Sequence, residues 1–248
     1  MSTPAQTPTS RPLEVGGVIR AVFAIYVEQA PVLMPAAAVV FVFSGLLSTL
    51  VTTASSGLRF VVLLIGLVAT TLFTGMVVEL VSDVRDGRRD SSPGQLLRAA
   101  TPVFWQLIAV ALAAAAGVVV GLLLLVIPGL ILLTVWSLAA PVVVLERPPG
   151  LRALRRSREL VRGYGWQVFA VILLLNLFIG IVAGGLDVAA ETAGAGVGLV
   201  VKVVLGVLTA PLAALGAAVL YFELRDRASD APRVAETPES PPPAPGVV

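Results

Sequence analysis

Between Arg98 and Glu146 lie forty-seven residues, Ala99 to Leu145, without one charged side chain. As helix such a run is about 70 Å long. That is enough for two crossings of a ~30 Å hydrocarbon core. A break near its middle is required, and the sequence there reads Ile127-Pro128-Gly129. Proline cannot continue a helical hydrogen-bond ladder, and glycine permits a sharp turn. The pattern predicts a tight helical hairpin with spans over 103–126 and 129–145.

Four more uncharged runs follow the same rule: Gln29–Leu58, Phe60–Val78, Gly163–Leu186 and Val203–Phe222. The total is six spans. Hydrophobic residues make up 57% of the 248 and charged residues 13%, against about 25% charged in a soluble domain. A globular chain of this size must show much of its surface to water, so the fold class is all-α integral membrane. The N-terminal MSTPAQTPTSRP lacks the basic and apolar regions of a cleaved signal peptide, so the first span is expected to be retained.

Arginine placement tests the count. With the N-terminus cytoplasmic, segments 1–30, 81–102, 146–165 and 223–248 lie inside and hold 15 of the 17 basic residues. Only Arg59 and Lys202 fall outside. The positive-inside rule predicts this asymmetry. A five-span reading separates the two Arg-rich loops and is rejected. The expected location is a bacterial plasma membrane, with both termini cytoplasmic. Ala, Val and Arg dominate over a single Lys, which suggests a GC-rich bacterial genome.

A weak internal repeat also emerges. Each pair of spans follows a short amphipathic segment: GGVIRAVFAIYVEQAPVLM, GQLLRAATPVFWQL and LRALRRSRELVRGYGWQV. Tyr26, Trp105 and Trp166 each precede a span, where amphipathic rings favour the interface. The predicted unit is an interfacial helix plus a hairpin, used three times in parallel. The domain is bounded at 13–222, with a polar tail over 1–12 and a Pro-rich cytoplasmic tail over 223–248, both expected to be disordered.

The most concentrated charge is in LRALRRSRELVRG, residues 151–163. On a helical wheel Arg152, Arg155, Arg156, Arg158 and Arg162 share one side. Ala153, Leu154, Ser157, Leu160 and Val161 share the other, and only Leu151 strays to the basic side. Glu159 is three residues from both Arg156 and Arg162 and can pair with either. Such a helix beside a span reads as interfacial, with its apolar face in the acyl boundary and its arginines on lipid phosphates. Capture of a lipid headgroup and simple topological anchoring both fit this pattern. Nucleic-acid binding is disfavoured, because it leaves the apolar face in water.

Other motifs are sparser. Ala113, Gly117 and Gly121 are spaced by four, as are Gly180 and Gly184, which suits close helix packing inside the bundle. Polar side chains at mid-depth are Thr74, Thr134, Ser137, Asn176 and Thr209, the last beside Pro211, which should kink its helix. Asn176 is the intramembrane polar candidate, with an interhelical hydrogen bond as its expected role. No ionisable residue falls at a midplane; Glu79 and Glu146 end spans, and Lys202 begins one. The chain has no His and no Cys, which removes the commonest general base and metal ligand and all thiolate chemistry. Lys202 has no nearby Ser for a catalytic dyad, and AGAGVG at 193–198 follows no strand. No catalytic constellation, metal site or cofactor is expected.

The stretch from Ile127 to Leu175 carries a resemblance. Its features are Pro128-Gly129, Trp136, Pro141 with an apolar run to Glu146, Ala153-Leu154 with Ser157, Leu160-Val161 with Gly163, and Trp166. It resembles the membrane domain of bacterial glycerophosphoryl diester phosphodiesterases and related multi-pass proteins. The resemblance covers most of 95–190 and implies membrane architecture and a lipid or envelope context. It does not imply hydrolysis. In those enzymes the chemistry belongs to a separate soluble barrel with His and metal-binding carboxylates, which this chain lacks.

The expected function is a non-enzymatic scaffold, assembly or lipid-associated module, with membrane lipids, anionic ones included, as partners and no nucleic acid. The alternative is a transporter or lipid-handling permease with a polar pathway near Asn176 and Pro211. Reporter fusions at residues 90 and 155 are predicted both to read as cytoplasmic; a periplasmic signal from either one removes the six-span topology.

Overall fold

The computed structural model describes residues 13–51, 56–87, 94–95, 101–192 and 195–230. The described residues are nearly all helical. The helices are α1 (Val15–Glu28), α2 (Ala30–Val51), α3 (Ser56–Arg85), α4 (Phe104–Leu124), α5 (Val126–Trp136), α6 (Ala139–Glu146), α7 (Arg152–Val161), α8 (Gly165–Thr192) and α9 (Ala195–Asp230), with a 3-10 turn at Thr101–Val103. Six stretches are long and apolar enough to cross a membrane: Ala30–Leu47, Ile65–Arg85, Phe104–Leu124, Val126–Glu146, Gly165–Gly185 and Val197–Ser229. They form three helical hairpins, as expected.

The central hairpin turns at Leu125, three residues earlier than Pro128-Gly129. Leu125 alone is extended (φ −161°, ψ 137°), and its N–H still bonds the Gly121 carbonyl. The reason is steric. A proline ring collides with the carbonyl four residues back but is tolerated in a first turn, where its missing N–H costs nothing. Pro128 therefore sits in the first turn of α5, and the helix breaks just before it. The same rule breaks the fourth span again. Pro141 lies in the first turn of α6, and Ser137 and Leu138 separate α6 from α5. The fourth span is thus two helices, where a single one was expected.

Glycine closes the hairpin. A Cβ on Gly129 would stand 2.6 Å from the Leu122 backbone nitrogen, and one on Gly121 3.0 Å from the Gly129 Cα. Gly117 makes room for the Trp136 ring. These two members of the small-residue series pack internally as predicted. Gly180 and Gly184 do not, since a Cβ on either would meet nothing within 4 Å.

Burial alternates along the chain. The first, third and fifth spans have 11%, 17% and 17% of their residues buried, and the second, fourth and sixth have 44%, 39% and 50%. The second member of each hairpin is therefore central. α3, α6 and α9 touch one another, and each outer span bridges two inner ones: α2 joins α3 and α9, α4 joins α3 and α6, and α8 joins α9 and α5. This is the threefold parallel pattern that the repeat implied. α1 lies against the third hairpin and α7 against the second, so both amphipathic helices bind the preceding unit of the ring. Within the second amphipathic segment, residues 96–100 lie outside the described residues.

Two expectations change. Tyr26 is engaged by another helix. Its hydroxyl donates to the Leu208 carbonyl at 2.9 Å, and Phe23 packs edge-on to Phe178 at 5.6 Å. Phe178 is thirteen residues into α8, about 20 Å from its start. α1 is thus packed into the bundle. Trp105 and Trp166 are each 79% exposed. Second, α9 continues past Phe222 to Asp230, where a tail was expected. Arg227 pairs with Glu223 one turn back, and Asp226 is held by Arg85. Residues 1–12 and 231–248 lie outside the described residues.

Gly129→Val should force the hairpin apart, with a cost of about 1–3 kcal/mol for overpacking. Thermal unfolding in detergent should show a lower midpoint, while Gly184→Ala should leave it unchanged.

Candidate functional site

α7 carries the predicted two faces, but its apolar face does not lie in the acyl boundary. Ala153, Ser157, Leu160 and Val161 are buried, and α7 packs on α4, α5, α6 and α9. The break in the fourth span explains this docking. The last carbonyls of α5 have no helical partners, and an unpaired backbone group in an apolar setting is costly. Ser157 is fully buried, and its Oγ donates to one of these carbonyls, Val135 O, at 2.6 Å. Ala153 and Ser157, one turn apart and both small, permit the close approach.

The polar side of α7 divides its arginines into two groups. Arg156 Nε donates to Glu146 Oε2 at 2.9 Å, and its Nη1 lies 3.7 Å from Glu159. Burial alone would lower the Arg156 pKa, but the Glu146 hydrogen bond and the charges of Glu146 and Glu159 hold it above the ordinary arginine value. Glu146 also accepts the hydroxyl of buried Tyr221 at 2.9 Å. One carboxylate thereby joins α6, α7 and α9. Arg155 pairs with Glu159 at 3.3 Å. Arg152, Arg158 and Arg162 are exposed and have no ion pair among the described residues.

Neighbouring contacts stiffen this end of the bundle. Arg85 pairs with Asp226 at 2.5 Å and lies over the Phe222 ring at 4.7 Å. Arg147, in the left-handed region at φ 48°, approaches Glu79 to 3.9 Å. The Gln106 amide donates to the Pro148 carbonyl and, at 3.3 Å, to that of Gly150, which ties down the loop before α7. Residues 79–85, 146–162 and 221–227 thus share one end, as an even number of spans between the two Arg-rich loops requires.

Asn176 is placed elsewhere. Its side chain is exposed on α8, and Nδ2 donates to the Ile172 carbonyl of its own helix at 2.8 Å, not across to another helix. Thr74, Thr134 and Thr209 likewise bond carbonyls one turn back. Pro211 is buried within the unbroken α9. Grooves among the described residues include one of about 290 Å³ between α5 and α8, one of about 330 Å³ between α2 and α3, and one of about 150 Å³ between α3 and α4 beside Ser137. Neither Asn176 nor Pro211 lines any of them.

Sequence reasoning passed over Glu146 and Tyr221 as site residues. Glu146 carries a usable signal, as the one acidic residue between Asp90 and Glu159. A lone carboxylate closing an apolar run needs a partner. Tyr221 carries none, because a tyrosine near a span end reads equally as an interface ring.

Residues 95–224 match a family described as a domain of unknown function, DUF8558. A UPF0259 membrane protein of Pectobacterium carotovorum subsp. carotovorum (strain PC1) is 35% identical over 97 residues, which is 39% of this chain and 38% of that protein. The similarity therefore spans well under half the length of that relative. No solved structure matches. The likeness is to bacterial membrane proteins of uncharacterised families.

The Arg156–Glu146 pair is partly exposed, so its coupling should be modest, about 1 kcal/mol or less. A double-mutant cycle with Arg156→Met and Glu146→Gln, read by thermal unfolding, should show that coupling. Arg162→Met should leave stability unchanged.

Proposed function

Because the chain belongs to the DUF8558 family, we propose that it is a non-enzymatic, multi-pass module of the bacterial plasma membrane that gathers anionic lipid at its basic end. In this reading both termini and the basic end are cytoplasmic, since 15 of the 17 basic residues fall in segments on that side. One observation carries the proposal: α7 is clamped to the protein by its small face, while Arg152, Arg158 and Arg162 are exposed and have no ion pair among the described residues. Anchoring alone needs positive charge near the bilayer; it does not need a rigidly held helix. The absence of His and Cys supports a role without catalysis. The kinship inferred with the membrane domain of glycerophosphoryl diester phosphodiesterases rests on residues 127–175. In this proposal it extends to architecture and lipid context and not to hydrolysis.

Each near-surface arginine adds about 1 kcal/mol on an anionic leaflet, about fivefold in affinity. Reversing Arg152, Arg158 and Arg162 together to Glu should remove most anionic phospholipid retained through purification, as read by native mass spectrometry. The retention should also weaken with salt. Unchanged lipid retention would reduce the three arginines to a topological role.

A further inference from the structure

We propose that the groove between α5 and α8 holds one acyl chain of an anionic phospholipid whose phosphate sits between Arg158 and Arg162. This rests on the lipid-gathering reading and gives it a defined, single-lipid site.

The groove has a volume of about 290 Å³, and its walls include Ile127, Leu130, Ile131, Val135, Trp166 and Phe169. Its one hydroxyl, that of Thr134, is engaged by the Leu130 carbonyl. The lining therefore offers an occupant only apolar contact, which suits a hydrocarbon chain and excludes a free ion.

The walls of the groove are tied to α7 at two points. Val135, in the wall, is the residue whose carbonyl accepts Ser157, and Arg158 is the next residue along. Gly165 and Trp166, in the opposite wall, follow Arg162 by three and four residues. Gly163, at φ +93°, turns the chain sharply between α7 and α8, a conformation that disfavours other residues. That turn keeps the start of α8 beside the end of α7. By chain length Arg162 Cα lies within about 11 Å of Gly165, within reach of an arginine side chain.

Arg158 and Arg162 are one turn apart, and both are exposed and unpaired among the described residues. Like charges at this spacing repel on a helix. A phosphate between them relieves the repulsion and accepts charge-assisted hydrogen bonds from both guanidinium groups. The charge selects an anionic lipid, and the apolar groove selects a lipid over free phosphate. Trp166, 79% exposed and with its ring tilted on Phe169 at 5.6 Å, stands at the junction of head and tail.

The test is quenching of Trp166 fluorescence by acyl-brominated phospholipids, with full-length protein in vesicles and Trp105→Phe and Trp136→Phe leaving Trp166 alone. Acyl-brominated phosphatidylglycerol should half-quench Trp166 at about a tenfold lower mole fraction than acyl-brominated phosphatidylcholine. Arg158→Glu with Arg162→Glu should abolish that preference, and Ile131→Phe, which fills the groove from an exposed position, should do the same with the arginines intact. If the Phe background unfolds, Trp166→Phe in the otherwise natural chain should remove the selectively quenched fraction. A preference that survives Ile131→Phe, or one displaced by inorganic phosphate, overturns the acyl site and leaves the lipid-gathering helix standing. No preference in the chain with native arginines overturns both.

Discussion

The fourth membrane span is two helices, and much of the basic end depends on that break. Pro128 and Pro141 each occupy a first helical turn just after a break, where the proline ring meets no helical carbonyl four residues behind it. The second break leaves backbone acceptors within an otherwise apolar bundle. Ser157 answers one of them, and in doing so it sets the position of α7. Once α7 is docked, Glu146 comes within reach of Arg156, and α7 is tied to one wall of the groove beside α5. A short polar helix thus completes the hydrogen bonding of a transmembrane one.

The five arginines of α7 consequently do different work despite sharing one face. Arg156 is spent on Glu146, a carboxylate also held by Tyr221. That three-way contact joins two of the three central helices to α7. Arg155 is matched by Glu159 on the same helix. Arg152, Arg158 and Arg162 remain open to solvent or lipid. Desolvation sets Arg156 apart from the other four, which are exposed. A partly buried guanidinium needs a protein counter-charge, whereas an exposed one can wait for a phosphate.

Much of the architecture could be read directly from charge and hydropathy. Six spans, three hairpins, the common end of the Arg-rich segments and the amphipathic character of α7 all follow from where charge is absent or clustered. The turn of the second hairpin was misplaced by three residues, because Pro128 marks where a helix can begin and not where it must bend. The apolar face of α7 was assigned to lipid because a wheel shows that a face is apolar and not what covers it. Tyr26 reads as an interface ring for the same reason, yet its hydroxyl reaches across to the Leu208 carbonyl of α9. Asn176 drew attention as a polar group amid apolar residues, but its amide is satisfied by its own helix one turn back.

By itself the sequence determined the membrane class, the number of crossings, the shared side of the arginine clusters and the presence of a two-faced helix. These follow from local sums of transfer free energy, which depend only on which residues are consecutive. The tertiary structure alone decided which spans are central, which carbonyl Ser157 serves, which arginines are paired with carboxylates, and where an apolar groove opens between α5 and α8. Those outcomes rest on pairings between residues such as Ser157 and Val135 or Glu146 and Tyr221, twenty-two and seventy-five positions apart. Their energy arises only when packing brings the partners within hydrogen-bond distance.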